Sequence, residues 1–159
     1  MKIEKHPFWH VPCFIVAVIQ LSVDSGDFLL KFHSDITFVQ VAVEIIRTVL
    51  DYLKVVDPTN VLLVSRELLK NAVVHGNQND GSKEVVYRIS RLAQDRFRLE
   101  VEDSGSGISL ESGESTIRQR PKKLDSDVTQ GRGFTIISSL SEQISFSEQG
   151  NKITVVLNA

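Results

Sequence analysis

The spacing of apolar residues changes along the chain, and this change constrains the fold more than any other feature of the sequence. In residues 84–92 and 96–103, apolar and polar side chains alternate, which is typical of two strands joined by a short turn. From a cap at Ser34 or Asp35 to Leu53, the apolar positions instead recur every three or four residues, as in an amphipathic helix of about five turns. The sequence therefore predicts both a hairpin and a helix with one apolar face.

Turn and capping residues divide the rest of the first half of the chain. Residues 13–33 are interpreted as a hairpin, because two apolar runs flank the turn sequence VDSGD. Asp57 is predicted to cap a second helix with Pro58 at its first position, where the missing N–H costs nothing. Gly76 is predicted to end that helix.

A polar connection precedes the last predicted elements. Residues 108–130 are poor in large apolar groups, and a connection of that length in a compact domain is usually a functional lid or a disordered segment. Residues 131–143 favour a glycine-rich turn that opens a helix, and residues 144–157 favour a closing hairpin. We find neither internal repeats nor an interdomain linker in the sequence.

Composition and charge narrow the class of protein. With 159 residues, 42% of them hydrophobic and 24% charged, the chain suits one soluble domain with an adequate core. A formal net charge of −2 gives no electrostatic reason to expect nucleic acid as a partner. Cys13 is the only cysteine, which excludes an intrachain disulfide and a cysteine-cluster zinc site and is consistent with the cytoplasm.

The N-terminal segment needs a separate interpretation. Residues 11–21 follow two lysines and resemble the apolar part of a secretory signal. The run is shorter than the roughly 20 apolar residues that span a membrane, no clean cleavage site follows it, and its β-branched residues favour a strand. We therefore expect residues 1–27 to be an N-terminal extension with a strand or hairpin, followed by one domain over residues 28–159.

The first stretch with candidate chemistry is ELLKNAVVHGN, residues 67–77. Glu67, Asn71 and His75 recur every fourth residue, so they are predicted to lie in a row on one side of a helix. A carboxylate there can accept a proton from a hydroxyl or water, and an amide oxygen is a hard ligand suited to Mg²⁺. For the helix taken alone, an ordinary solvated polar face is the alternative.

The second candidate stretch is VEDSGSGIS, residues 101–109. It places Asp103 at the end of a predicted strand, where a buried carboxylate can accept a hydrogen bond from an exocyclic amine such as that of adenine. Gly105 and Gly107 allow a close backbone approach to a ligand or a positive φ. Read alone, the stretch is equally well interpreted as a tight turn with local side-chain hydrogen bonds.

The third candidate stretch is QGRGF, residues 130–134. Its glycines open a predicted helix, and the free N–H groups and positive dipole end of a helix suit phosphate. Arg132 adds a charge-assisted donor. Taken alone, G-R-G is a weak signal that a turn between a loop and a helix explains equally well.

The order of the three stretches along the chain gives them more weight than any one has alone. ELLKNAVVHGN, EDSGSG and GRGFTII resemble the ATP-binding domain of the GHKL superfamily, which includes gyrase, heat-shock chaperones, histidine kinases and mismatch-repair ATPases. The resemblance covers about residues 28–157, and the small size and H-G-N ending are most similar to the bacterial anti-sigma-factor serine kinases. It implies an α+β two-layer sandwich with a mixed, mostly antiparallel sheet, helices on one face and a long ATP lid.

The resemblance also implies roles for the matched residues. Glu67 becomes the base that activates the attacking hydroxyl, Asn71 the Mg²⁺ ligand, and Asp103 the acid that reads adenine, while His75 supports the cleft. Residues 108–130 become the ATP lid. The other residues implied to line the nucleotide are Gly105, Gly107 and Ile108 at the adenine end, and Gly131, Arg132, Gly133 and Phe134 at the phosphates.

The closing strand departs from the family pattern at one position. Related kinases often carry threonine there, near the adenine, whereas this chain has Lys152. Thr154 would substitute for it only if the register of the strand differs. This departure concerns the adenine end and leaves the Mg²⁺ and base positions intact.

The resemblance implies an ATP- and Mg²⁺-dependent protein serine/threonine kinase in the cytoplasm. It would phosphorylate an anti-anti-sigma protein and bind a sigma factor, without contacting nucleic acid or membrane directly, and a homodimer is common among such proteins. Two alternatives stay open: a non-catalytic ATP-binding regulatory module, and the ATP-binding part of a histidine kinase system.

Overall fold

A computed structural model describes residues 18–22, 27–107, 116–117 and 132–159. These residues form seven strands, three α-helices and one π-helical turn. In chain order the elements are β1 Val18–Ser22, β2 Asp27–His33, α1 Ile36–Tyr52, α2 Thr59–Asn71, the π turn Ala72–Gly76, β3 Glu84–Ala93, β4 Arg96–Asp103, β5 Thr116–Ile117, α3 Arg132–Leu140, β6 Ser141–Phe146 and β7 Lys152–Asn158. Within these ranges, no helix combines the length and apolar character that crossing a membrane requires.

The strands form a single sheet in the order β1-β2-β3-β4-β7-β6-β5. Every pairing between the described strands is antiparallel, so this part of the sheet is more uniform than the mixed sheet that the resemblance implied. The closing hairpin, β6 and β7, joins the sheet through β7, which pairs with β4. The C-terminal end of β4 therefore lies between β3 and the closing hairpin.

One face of the sheet packs against the helices and forms the core. Along β4, Phe97, Leu99 and Val101 are buried, whereas the residues that alternate with them are partly or fully exposed. The buried residues of α1 follow the predicted helical spacing: Val39, Ala42, Val43, Ile46, Val49 and Leu50. The helices and this face of the sheet share one core, which confirms the predicted two-layer α+β arrangement.

The caps of the first two helices lie close to their predicted positions. The backbone N–H of Thr37 donates to the Asp35 carboxylate over 2.8 Å, so Asp35 rather than Ser34 caps α1. Asp57 accepts from the backbone N–H of Thr59 over 3.0 Å, but it lies one residue before the N-cap of α2, which is Pro58. The helix α2 begins at Thr59 instead of Pro58, a difference of one residue that is ordinary at a helix end.

Pairing in the sheet corrects one predicted boundary and adds one short strand. The helix predicted within residues 131–143 ends at Leu140, because Ser141 already pairs with Leu157 of β7 and the chain continues as β6. Within the predicted lid, Thr116–Ile117 form a short strand against β6. The rest of residues 108–130, apart from that strand, lies outside the described residues.

The N-terminal hairpin is described in part. Residues 18–22 pair antiparallel with residues 27–31, so the described portion of the segment 13–33 has the pairing that a hairpin requires. Residues 13–17 and the turn at 23–26 lie outside the described residues. The domain boundary at residue 28 stays a prediction.

Candidate functional site

The side chain of Asp103 lies at the end of β4, against the end of the helical segment that follows α2. A β-carbon at Gly76 would overlap the carboxyl group of Asp103. A β-carbon at Gly105 would overlap the carbonyl oxygen of Gly76 and lie 2.8 Å from Asp103 Oδ1. Glycine is therefore required at both positions, because the two backbone segments and the carboxylate meet without room for a methyl group.

A π-helical turn brings Gly76 to this position. The turn runs from Ala72 to Gly76, and the backbone N–H of Asn77 donates to the carbonyl of Ala72 over 2.8 Å. The helical segment ends at Gly76 as predicted, but its last part is not α-helical: α2 ends at Asn71, and the wider turn continues to Gly76. Turns of this kind are rare and are found frequently at functional sites.

The three polar residues of the first stretch lie in two helical segments and differ in exposure. Glu67 and Asn71 lie one turn apart in α2 and are both partly buried. His75 lies inside the π turn and is exposed. Glu67 and Asn71 are therefore the two residues of the row that are withdrawn from solvent, while His75 is open to it.

The third stretch meets the first through Glu67 and Gly133. Gly133 lies in the first turn of α3, and a β-carbon there would be 3.4 Å from Glu67 Cδ and would overlap Oε2. Arg132 is exposed at the start of the helix, and Phe134 is partly buried and packs against the core. The carboxylate of Glu67 therefore lies at the N-terminal turn of α3, the end of a helix that favours anions.

Two of the predicted nucleotide-lining residues, Ile108 and Gly131, lie outside the described residues. Gly107 is described, with a φ of +78° that favours glycine. A β-carbon at Gly107 would overlap the carbonyl oxygen of Gln149, in the turn between β6 and β7. The turn after Asp103 therefore packs against the turn of the closing hairpin, and the predicted positive φ is confirmed at Gly107.

The Asp103 carboxylate is held as a hydrogen-bond acceptor in a partly buried setting. Burial raises the pKa of Asp103 above its ordinary value and outweighs the N–H of Gly105 and the charge of Lys83, which lower it. The charge of Glu102 raises the pKa further. The N–H of Gly105 donates to Oδ1 over 2.8 Å, and Oδ2 has no hydrogen-bond partner within the described part of the chain. A ligand can therefore donate to Oδ2.

The register of β7 settles which of its residues share a face with Asp103. Val101 pairs with Ile153, and Asp103 lies two residues beyond Val101, so Ile153 shares the helix-covered face with both. Lys152 and Thr154 pair with Glu102 and Glu100 on the opposite face. The register therefore does not allow Thr154 to stand in for the family threonine beside the Asp103 carboxylate.

Two asparagines of this region were missed by sequence reasoning. Asn77 is fully buried, donates from Nδ2 to the carbonyl of Glu84 over 2.9 Å and accepts from the N–H of Ser104 over 2.8 Å. Asn151 donates from Nδ2 to the carbonyl of Asp103 over 3.2 Å. Each directly follows a glycine in a turn, and Asn77 also ends the H-G-N motif, but neither signal indicates which groups the side chain bonds.

A divalent cation here would depend on few protein ligands. Within the described residues, no cluster of three or more His, Cys, Asp and Glu side chains is suited to a metal. The amide oxygen of Asn71 is a suitable hard donor, partly buried and one turn from Glu67. This donor set fits Mg²⁺, which usually binds through one or two protein groups together with waters and substrate phosphates.

Comparison with known proteins is consistent with this geometry. Residues 32–157 match the family described as Histidine kinase-like ATPase domain, a range that contains every site residue described above. The chain is 28% identical over 100 residues to the Anti-sigma F factor of Clostridium perfringens strain SM101, covering 62% of this chain and 69% of that protein. It is 27% identical, over the same length and shares, to the Anti-sigma F factor of Clostridium perfringens strain 13.

Proposed function

The chain belongs to the histidine kinase-like ATPase family, and on that premise we propose that it is an ATP- and Mg²⁺-dependent protein serine/threonine kinase that also binds a sigma factor. The kinase domain is proposed to comprise residues 28–159, with residues 1–27 as an N-terminal extension. The observation that carries the proposal is the position of Glu67, whose carboxylate lies at the first turn of α3 rather than on an open helix face.

The adenine end of the proposed site is the turn after β4. Asp103 Oδ2 accepts a hydrogen bond from the exocyclic amine of adenine, while Oδ1 stays bonded to the N–H of Gly105. The close contact of Gly76 with Asp103 supports this assignment, because it fixes the direction of the carboxylate before a ligand arrives. A base that carries a carbonyl oxygen at the same position cannot donate this hydrogen bond, so the site favours ATP over GTP.

The phosphate end of the proposed site is formed by α2 and the start of α3. The N–H groups of the first turn of α3 and the guanidinium of Arg132 are donors suited to phosphate oxygens. Asn71 would hold Mg²⁺ through its amide oxygen, and the cation when bound would neutralise charge on the phosphates. Glu67 lies one turn away and stays available for the proton of the incoming hydroxyl.

The proposed reaction transfers the γ-phosphoryl group of ATP to a hydroxyl. The oxygen of a serine or threonine side chain bonds to the γ-phosphorus, and the bond between that phosphorus and the bridging oxygen of ADP breaks. Glu67 accepts the proton that the hydroxyl loses. Phosphoryl transfer depends mainly on positioning and charge neutralisation, so this small set of groups is sufficient.

The proposed partners follow from the names of the relatives. Two similar proteins are each named Anti-sigma F factor, which denotes an antagonist of a sigma factor. We propose that this chain binds a sigma factor in the same way and phosphorylates an anti-anti-sigma protein that competes for it. Phosphorylation would release the anti-anti-sigma protein, and the freed kinase would bind and silence the sigma factor.

A transfer assay tests the proposal. Purified protein is incubated with γ-labelled ATP, Mg²⁺ and candidate anti-anti-sigma proteins from the same genome, beside Glu67→Gln and the control Glu44→Gln. Glu44 is an exposed residue of α1, so Glu44→Gln controls for the general effect of removing one negative charge. We expect label on a serine or threonine of one candidate with the wild type and the control, and a loss of about 10²–10⁴-fold with Glu67→Gln.

Three outcomes would contradict parts of the proposal. Transfer at the wild-type rate by Glu67→Gln would show that the base is assigned wrongly. ATP binding without transfer to any candidate would favour the non-catalytic regulatory module. Label on a histidine of a separately supplied phosphoacceptor domain would favour a histidine kinase system.

A further inference from the structure

Asn77 joins the helical side of the site to the strand side. Its backbone N–H donates to the carbonyl of Ala72, and the next turn is held by the N–H of Asn79, which donates to Val73 over 2.8 Å. Its side-chain amide instead bonds to the sheet, at the start of β3 and at the residue after β4. Asn77 therefore forms hydrogen bonds both to the π turn and to the turn that follows Asp103.

The two side-chain bonds of Asn77 require an amide. Nδ2 donates to the carbonyl of Glu84 over 2.9 Å, and Oδ1 accepts from the N–H of Ser104 over 2.8 Å. A carboxylate of the same shape can accept from Ser104 but cannot donate to Glu84, and a serine is too short to reach both. Asn77 is fully buried, so a lost bond is not replaced freely by bulk water.

The position of Ser104 makes this bridge relevant to the nucleotide. Ser104 directly follows Asp103, and its N–H is the group that Asn77 holds. On the other side of the bridge, the π turn continues directly from α2, which carries Glu67 and Asn71. The amide of Asn77 thereby fixes the spacing between the carboxylate at the adenine end and the helix at the phosphate end.

We propose that Asn77 is a positioning residue for nucleotide recognition, which holds the turn after Asp103 at the spacing at which adenine and the phosphates are bound together. The inference rests on the proposed function and deepens it, because it assigns part of the selectivity for a 6-aminopurine to a residue that does not touch the ligand. It also accounts for the asparagine in the H-G-N ending: Gly76 makes room for the carboxylate, and Asn77 holds the turn that bears it.

The test compares Asn77→Ala and Asn77→Ser with the wild type and with Tyr87→Phe. Tyr87 is buried in β3 and its hydroxyl pairs with Ser65 Oγ over 2.8 Å, so Tyr87→Phe removes a buried hydrogen bond without touching the Asp103 turn. The dissociation constants of ATP and GTP are measured with Mg²⁺, together with KM and kcat for transfer, at a temperature at which every variant is folded. Melting curves establish that temperature.

We expect both Asn77 variants to bind ATP at least about tenfold more weakly and to lose at least about tenfold in the preference for ATP over GTP. Their kcat at saturating ATP should stay within about threefold of the wild type, because Glu67 and Asn71 are unchanged. Tyr87→Phe should keep the wild-type preference even if it melts earlier. Folded Asn77 variants with the wild-type ATP affinity and preference would overturn the inference.

A second measurement decides the case if the Asn77 variants do not fold. Hydrogen exchange of the wild-type protein without nucleotide should show that the Ser104 amide is protected, since Asn77 already holds it. Exchange of that amide at the rate of an open loop would overturn the inference. A wild-type protein that binds no ATP would contradict the proposed function itself, whereas ATP binding that depends on Asp103 but not on Asn77 would contradict only this inference.

Discussion

The carboxylate of Glu67 lies directly against Gly133, so that a methyl group at position 133 would overlap Glu67 Oε2. The two residues are far apart in the sequence and come from α2 and α3. Their contact joins the acid–amide helix to the glycine turn that resembles a phosphate-binding motif. It also makes the position of the proposed base depend on a residue that carries no functional group.

Gly133→Ala is predicted to impair catalysis more than folding. The new β-carbon meets the flexible end of the Glu67 side chain, so the carboxylate moves while the backbone stays in place, and alanine is a better helix former than glycine. We expect an unchanged or higher Tm and a loss of roughly 10–100-fold in kcat, because small displacements of catalytic groups have effects of this size. The control is Thr135→Ala, an exposed position of the same helix. Wild-type kcat in Gly133→Ala would contradict the assigned geometry.

Gly76→Ala is predicted to weaken both ATP binding and folding. Its β-carbon would overlap the Asp103 carboxyl group, whose Oδ1 is already bonded to Gly105, so the turn must shift. Overpacking of this kind costs about 1–3 kcal/mol of unfolding free energy, and the ATP dissociation constant should rise at least about tenfold.

Gly81→Ala is the matched control for that substitution. Apart from Gly81 and its two chain neighbours, no described residue has an atom within 4 Å of a β-carbon placed at Gly81, so we expect the unfolding free energy of Gly81→Ala to stay within about 0.5 kcal/mol of the wild type. Chemical denaturation and equilibrium binding measure both effects. Equal behaviour of the two variants would show that the contact between Gly76 and Asp103 is unimportant.

Asp103→Asn is predicted to raise the stability of the nucleotide-free protein slightly while it weakens ATP binding. Burial raises the pKa of Asp103 above its ordinary value of 3.8. Below pH 3.8 the protonated side chain makes its full contribution to the stability of the folded state, and this contribution is lost as the pH rises through the pKa of the folded protein. At pH 7 the neutral asparagine avoids the cost of a partly buried charge and can still accept from Gly105.

We therefore expect nucleotide-free Asp103→Asn to melt slightly higher than the wild type at pH 7, by at most about 2–4 °C, since the group is only partly buried. The difference should shrink as pH falls below 3.8, the ordinary pKa of the group. Thermal melts across pH measure it. A markedly lower Tm at pH 7 would show that the carboxylate is a structural stabiliser rather than a group kept for a ligand.

Elements with a long, clear hydrophobic period could be predicted from the sequence. The alternation in residues 84–92 and 96–103 gave strands within one residue of β3 and β4, and the helical spacing after Asp35 gave α1. In these segments local preference and burial favour the same structure. No distant contact is needed to decide between helix and strand.

Boundaries that depend on distant contacts could not be predicted. The end of α3 is set by the pairing of Ser141 with Leu157, and the change from α2 to a π turn brings Gly76 against the turn after Asp103. Neither partner lies near its contact in the sequence. The helical period alone extended the prediction for α3 past Leu140, and it gave no sign of the change to a π turn after Asn71.

The candidate site likewise contains residues that could be predicted from the sequence and one whose role could not. Glu67, Asn71, Asp103 and Gly133 were predicted as site residues because their residue types and order match a known motif. Asn77 was missed, because an asparagine after a glycine is ordinary in a turn and only its burial between β3 and β4 distinguishes it.

The most direct test of the central claim is the melting temperature of the wild-type protein with and without saturating ATP and Mg²⁺, beside Asp103→Asn. At 100 times the dissociation constant, a ligand stabilises the folded state by about 2.7 kcal/mol, which raises Tm by roughly 5–11 °C in a domain of this size. We predict such a rise for the wild type and a clearly smaller one for Asp103→Asn. No rise at any ATP concentration, or an equal rise in both proteins, would contradict a nucleotide site built around Asp103.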